Sequence, residues 1–157
     1  MRIYQQRAKD VMCQEVVTVD PGDTVHSALK LMVENQVSAL PVVDRHNVCV
    51  GMISSSDIVE LTKDIDEEFE SLEETGTASA WLAQWLVRNT THESIEQIMS
   101  VDVASVGPDA LLSSVASKML RNRVHRVPVV DSHGRLLGLV STTDIMAAFA
   151  DSALPEV

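Results

Sequence analysis

Between residues 24 and 36, apolar side chains recur at Val25, Ala28, Leu29, Met32 and Val33. This i, i+3, i+4, i+7, i+8 spacing predicts one helix with a single buried face. The stripe returns at Leu111, Leu112, Val115, Ala116, Met119 and Leu120. Asp23 or Thr24, and Asp109, are the expected N-caps. Each helix is followed by two apolar runs around a short polar turn. The first pair is residues 40–43 and 48–53, split by Asp44-Arg45-His46-Asn47. The second is residues 127–130 and 135–140, split by Asp131-Ser132-His133-Gly134. Runs joined so tightly predict β-hairpins. Short extended runs at 15–19 and 102–106, ended by Pro21 and Pro108, precede the helices. A second helix is expected after Ser55-Ser56 and after Thr142-Thr143.

The two patterns are one pattern repeated. At an offset of 87 residues, positions 12–58 align without a gap on 99–145, with 17 of 47 pairs identical. The chain therefore reads as an α/β (α+β) protein of two tandem β-α-β-β-α units. Face-to-face packing of the units would bury stripes that one small unit could not. The organisation expected is repeat 1 with an N-terminal segment at 1–60, a spacer at 61–94, and repeat 2 with a tail at 95–157.

The spacer is too long for a plain loop. Ile58, Leu61, Ile65, Phe69 and Leu72 keep a 3–4 spacing, so the helix after Asp57 is expected to run to about Glu74. Residues 78–88, with Trp81, Leu82, Trp85 and Leu86 on one face, predict another. The acids between Glu60 and Glu74 read as a solvated face, and the tryptophan pair as a candidate contact for a protein partner or a second subunit.

Composition narrows the function. The 157 residues carry a formal charge of −11 and five aromatic side chains. A general nucleic-acid binder needs a basic face or stacking platforms, and this chain offers neither. The charge is concentrated: residues 60–74 hold eight acids and one base, or −7, leaving −4 elsewhere. No apolar run of membrane-spanning length occurs, and the first ten residues lack a signal-peptide core. Two cysteines, Cys13 and Cys49, make no disulfide scaffold, so the cytoplasm is the expected compartment.

Three sets of motifs occur twice, in order and in one register. Asp10-Val11-Met12 and Gln97-Ile98-Met99 precede the first strands. Val37-Ser38-Ala39-Leu40-Pro41-Val42-Val43-Asp44 matches Val124-His125-Arg126-Val127-Pro128-Val129-Val130-Asp131. Gly51-Met52-Ile53-Ser54-Ser55-Ser56-Asp57 matches Gly138-Leu139-Val140-Ser141-Thr142-Thr143-Asp144. Together they resemble a CBS-domain pair (cystathionine β-synthase domains), or Bateman module, over about residues 8–60 and 95–150.

That resemblance implies regulatory binding of an adenosine-containing ligand, such as AMP, ADP, ATP or S-adenosylmethionine, in clefts between the units. It assigns ribose hydroxyls to Asp57 and Asp144, and ribose or phosphate contacts to Ser54 and Ser141. Such a carboxylate–hydroxyl bond is worth about 1.5–3 kcal/mol. A helix N-terminus beside it favours anionic oxygens. Residues 12–58 and 99–145 contain no aromatic side chain, so a purine would lie between aliphatic ones. Candidates are Val17, Val19, Val37, Leu40 and Ile53 in the first copy. Ala104, Val106, Val124, Val127 and Val140 are their counterparts in the second. Backbone groups near Thr18 and Ser105 would read the purine edge. His125-Arg126, with Arg121 and Arg123 nearby, would meet phosphates, whereas the first copy has Ser38-Ala39 there. The family also implies a homodimer.

The histidines and cysteines lack metal-ligand spacing, and no nucleophile, phosphate-loop or dinucleotide motif occurs. The expectation is a binding module rather than an enzyme, with no cofactor beyond its regulatory ligand. The competing reading is a structural, dimerisation or partner-docking module with empty, degenerate clefts.

Overall fold

The structure is a computed structural model and describes residues 2–60 and 93–152. The spacer helices expected to Glu74 and over 78–88, with Trp81 and Trp85, lie outside the described residues. The described helices are α1 (Ala8–Val11), α2 (Val25–Asn35), α3 (Ser55–Glu60), α4 (Leu112–Asn122) and α5 (Thr142–Ser152). The strands are β1 (Ala39–Val43), β2 (Cys49–Ser54), β3 (Arg126–Val130) and β4 (Leu136–Ser141). β1 pairs with β2, and β3 with β4. Both predicted hairpins are therefore present.

The chain divides into two compact units that do not follow the repeat boundaries. One comprises Met1–Val16, Val43–Val50 and Asp102–Val157. The other comprises Val17–Val42 and Gly51–Val101. Each hairpin unit thus includes the Met-containing segment that precedes the other repeat.

In the unit holding β3 and β4, the core is Ala8, Val106, Val115, Met119, Val127, Val129 and Val140. The β3–β4 ladder is antiparallel, pairing Arg126 with Ser141 and Val129 with Gly138, with an irregularity after Val129. The segment around α1 is strapped across this unit. Ala8 N–H donates to the Ala110 carbonyl at 2.8 Å, and Leu112 N–H to that of Gln6 at 3.0 Å. Cys13 and Leu139 exchange two bonds of 2.9 Å. Gly138 makes this approach possible: a Cβ there would lie 2.7 Å from both the Cys13 carbonyl and the Met12 sulfur.

The unit holding α2 uses the same device. Met52 and Ser100 exchange bonds of 3.0 and 2.9 Å. A Cβ on Gly51 would lie 2.8 Å from the Ser100 carbonyl and the Met99 sulfur. Val25, Ala28, Leu29, Met32, Leu40, Val42, Ile53, Ile58 and Ile95 are buried here.

Several expectations need correction. The runs at 15–19 and 102–106 are not ladder strands; each makes one parallel bridge, Val19 to Val42 and Val106 to Val129. Thr24 caps α2, its Oγ1 accepting from Ser27 N–H at 3.1 Å. Asp109 does not cap α4; Leu111 holds the N-cap position without a side-chain bond. Asp109 instead pairs with Lys9 at 2.7 Å. That pair explains why its carboxyl is held below the usual range, chiefly by the lysine hydrogen bond. Val33, Leu111 and Leu120 belong to the apolar stripes but are exposed, Leu120 by 80%.

Candidate ligand-binding site

Each β-hairpin leads directly into a helix, and the proposed ligand residues sit at that junction. Ser54 ends β2 and Ser141 ends β4. Helices α3 and α5 begin at Ser55 and Thr142, so the caps are Ser54 and Ser141 rather than the Ser55-Ser56 and Thr142-Thr143 pairs. The Ser54 hydroxyl accepts from Asp57 N–H at 3.2 Å, and Asp57 Oδ2 accepts from Ser54 N–H at 2.8 Å. The Ser54 hydroxyl donates to the same Oδ2 at 3.0 Å. Ser141 and Asp144 repeat all three bonds, at 3.2, 2.7 and 2.8 Å. These are reciprocal capping boxes, with the carboxylate at the positive end of the helix.

The boxes have a chemical consequence. They engage Oδ2 of each aspartate, leaving Oδ1 outside the cap. All four side chains are half-buried, so they face an accessible rim. A fixed carboxylate with a spare oxygen is suited to accept hydrogen bonds from a diol.

Further backbone bonds draw the preceding loop to the rim. Ser55 N–H donates to the Ser38 carbonyl, and Thr142 N–H to that of His125, both at 2.9 Å. Arg126 stands opposite Ser141 in the ladder. His125 and Arg126 are thus brought to the Ser141–Asp144 rim. Arg121 lines a surface hollow on α4 with Ser113, Ser117, Lys118 and Asn122. Arg123 is exposed and is the left-handed C-cap of α4.

The aliphatic candidates separate by burial. Val19, Leu40, Val106 and Val127 are buried, as are Ile53 and Val140, and core packing accounts for them. Val17, Val37, Ala104 and Val124 are half-buried, as are Thr18 and Ser105. The Ser105 carbonyl accepts from the Lys118 ammonium. Sequence reasoning missed that contact; the aligned residue in the first copy is Leu31, so only the repeat asymmetry could have signalled it.

Among the described residues, no group of three His, Cys, Asp or Glu could hold a metal ion. No helix among them is long and apolar enough to cross a membrane.

Two hairpins, each opening a Ser–Asp-capped helix and each closed by a segment from beside the other repeat, define a tandem α+β repeat module. The CBS domain model matches residues 8–64 and 95–151, and the chain belongs to the CBS domain family. The structure of CBSX2 from Arabidopsis thaliana is similar, with a TM-score of 0.76 at 26% identity, covering 92% of this chain and 94% of that one. CBSX2 in complex with AMP matches with a TM-score of 0.71 at 27% identity, over 92% and 96% of the two chains. The CBS domain pair of MJ0100, in complex with 5′-methylthioadenosine and S-adenosyl-L-methionine, matches with a TM-score of 0.68 at 27% identity, over 93% and 97%. Inosine-5′-monophosphate dehydrogenase of Methanocaldococcus jannaschii is 28% identical over 141 residues. That match covers 90% of this chain but only 23% of the enzyme's length.

Proposed function

We propose that this chain is a regulatory module that binds an adenosine-containing ligand and signals by changing the arrangement of its repeats or of a dimer. The observation that carries the reading is the duplicated capping box, which holds a Ser–Asp pair in one geometry in both repeats. The AMP complex of CBSX2 and the S-adenosyl-L-methionine complex of MJ0100 support this ligand class. In the proposed mode, Oδ1 of Asp57 and of Asp144 accepts the ribose hydroxyls. Ser54 and Ser141 orient those carboxylates. Val37 and Val124 flank the purine, and backbone groups beside Thr18 and Ser105 read its edge. His125 and Arg126 meet a phosphate in the second copy, where the first has Ser38 and Ala39.

Self-association is part of the same proposal. Leu120, Met146 and Phe149 are exposed by 80%, 71% and 65%, apolar surface suited to a second copy. The reading is tested by thermal unfolding with AMP, ADP, ATP, S-adenosylmethionine and NAD. Binding to the folded state must raise the melting temperature, by mass action, for at least one of them. A flat response to all five contradicts it.

A further inference from the structure

The two hairpin turns are clasped to each other inside one compact unit. Val48 and Arg135, which are aligned residues of the two repeats, form an antiparallel bridge. Cys49 N–H donates to the Gly134 carbonyl, and Leu136 N–H to that of Asn47, both at 2.9 Å. The Asn47 amide adds a bond to the Leu136 carbonyl at 3.0 Å. The turns are also internally identical. Asp44 Oδ1 accepts from His46 and Val48 N–H at 2.8 and 3.0 Å. Asp131 Oδ1 accepts from His133 and Arg135 N–H at the same distances.

This clasp brings the aligned histidines together. His46, Val48, His133 and Arg135 line one shallow, open hollow of about 410 Å³. Arg45 stands beside it, its Nε–H donating to His46 Nε2 at 3.2 Å. The facing acids are Asp44 and Asp131. Both are committed to the turn amides, and Asp131 Oδ2 also accepts from Arg135 Nε at 2.8 Å. With both imidazoles neutral, two arginines balance two aspartates. With both protonated, four cations face two carboxylates, an excess of two positive charges in a chain of net charge −11. An imidazole changes charge between about pH 5 and pH 8. Protonation of His46 at Nε2 ends the Arg45 bond and leaves that guanidinium to face the hollow, while Arg135, held at Nε by Asp131, still presents its terminal N–H groups, whose planar fork matches oxyanion geometry.

We propose that the clasped turns form a site for a compact free oxyanion of the phosphate and sulfate class, engaged as His46 and His133 become protonated. The site is independent of the adenosine reading. Backbone bonds from both repeats hold the two turns together before the anion arrives, which limits the ordering cost of binding.

Sulfate is the probe, because its own charge stays constant across the range. Titrated into the full chain and followed by imidazole NMR, it is expected to move the His46 and His133 resonances saturably at about pH 5.5, and to bind about tenfold more weakly at about pH 8. The folded H46Q/H133Q variant, compared with the wild type by calorimetry at about pH 5.5, is expected to bind sulfate at least about tenfold more weakly. Shifts confined to His125, equal affinity at the two pH values, or wild-type affinity in the double variant would overturn the proposal. A parallel titration with AMP separates the sources: movement of His46 and His133 by AMP but not by sulfate contradicts a free-anion site.

Discussion

Arg126 stands directly across the β3–β4 ladder from Ser141, the residue whose hydroxyl caps α5 and donates to Asp144. One cross-strand pair therefore joins the arginine of its motif to the proposed ribose rim. The first copy has Ala39 at the aligned position. The repeats share their backbone and their caps, and differ in charge where a phosphate would lie.

That asymmetry predicts a selective loss. Arg126→Ala is expected to lower affinity for AMP by about tenfold or more, the worth of a charge-assisted hydrogen bond, while changing adenosine affinity little. Calorimetry with the two ligands reads the ratio directly. An equal loss for both would assign Arg126 to the fold rather than to the phosphate.

The capping boxes predict a stability effect separable from binding. Ser141→Ala removes an acceptor for Asp144 N–H and is expected to cost about 1 kcal/mol in chemical denaturation. Asp144→Asn keeps an oxygen to accept the Ser141 N–H and should cost less. If Ser141→Ala unfolds at the wild-type denaturant midpoint, the box contributes nothing to α5.

The straps predict a contrast among glycines. Gly138→Ala forces a Cβ into the Cys13 carbonyl and is expected to destabilise on the order of 1–3 kcal/mol, with faster amide exchange at Cys13 and Leu139. Gly51→Ala should do the same at Met52 and Ser100. Gly107→Ala is the control, since a Cβ there meets nothing within 4 Å. Indistinguishable melting temperatures for the three variants would contradict the strap packing.

The turn aspartates set an acid limit. The Val48 N–H holds the Asp44 carboxyl below its usual range, and the Arg135 N–H does the same for Asp131. A carboxyl with a depressed folded value stabilises fully above its unfolded value and loses that contribution as pH falls through the folded one. The turns are therefore expected to hold above about pH 4 and to loosen below it. Amide exchange at Val48 and Arg135 between about pH 2.5 and pH 6 measures this; Asp44→Asn should flatten the dependence in the first turn.

Much of this was legible in the residues. The 3.6-residue stripes and the short polar turns located α2, α4 and both hairpins to within about two residues, because periodicity reports the buried face directly. Ser54, Asp57, Ser141 and Asp144 were legible as a recurring Ser–Asp pair because they repeat. Three features were not. Periodicity cannot say which unit a segment joins, so the exchange of the Met12 and Met99 segments was invisible. Cap propensity is shared by neighbouring polar residues, so it does not single out Ser54 and Ser141 from the residues after them, nor show that Lys9 claims Asp109. Burial depends on tertiary neighbours, so the sequence alone does not separate buried Leu40 and Val127 from half-buried Val37 and Val124.

In the proposed binding mode, the carboxylate oxygens left outside the two caps hold the adenosine ligand. Calorimetric titration of AMP into the wild type and into the D57N/D144N variant tests it most directly, because asparagine retains an acceptor for the cap while removing the charge. Saturable binding is expected for the wild type, with a loss of at least about tenfold in the variant. No binding of AMP, ADP, ATP or S-adenosylmethionine by the wild type, or wild-type affinity in a folded double variant, would contradict it.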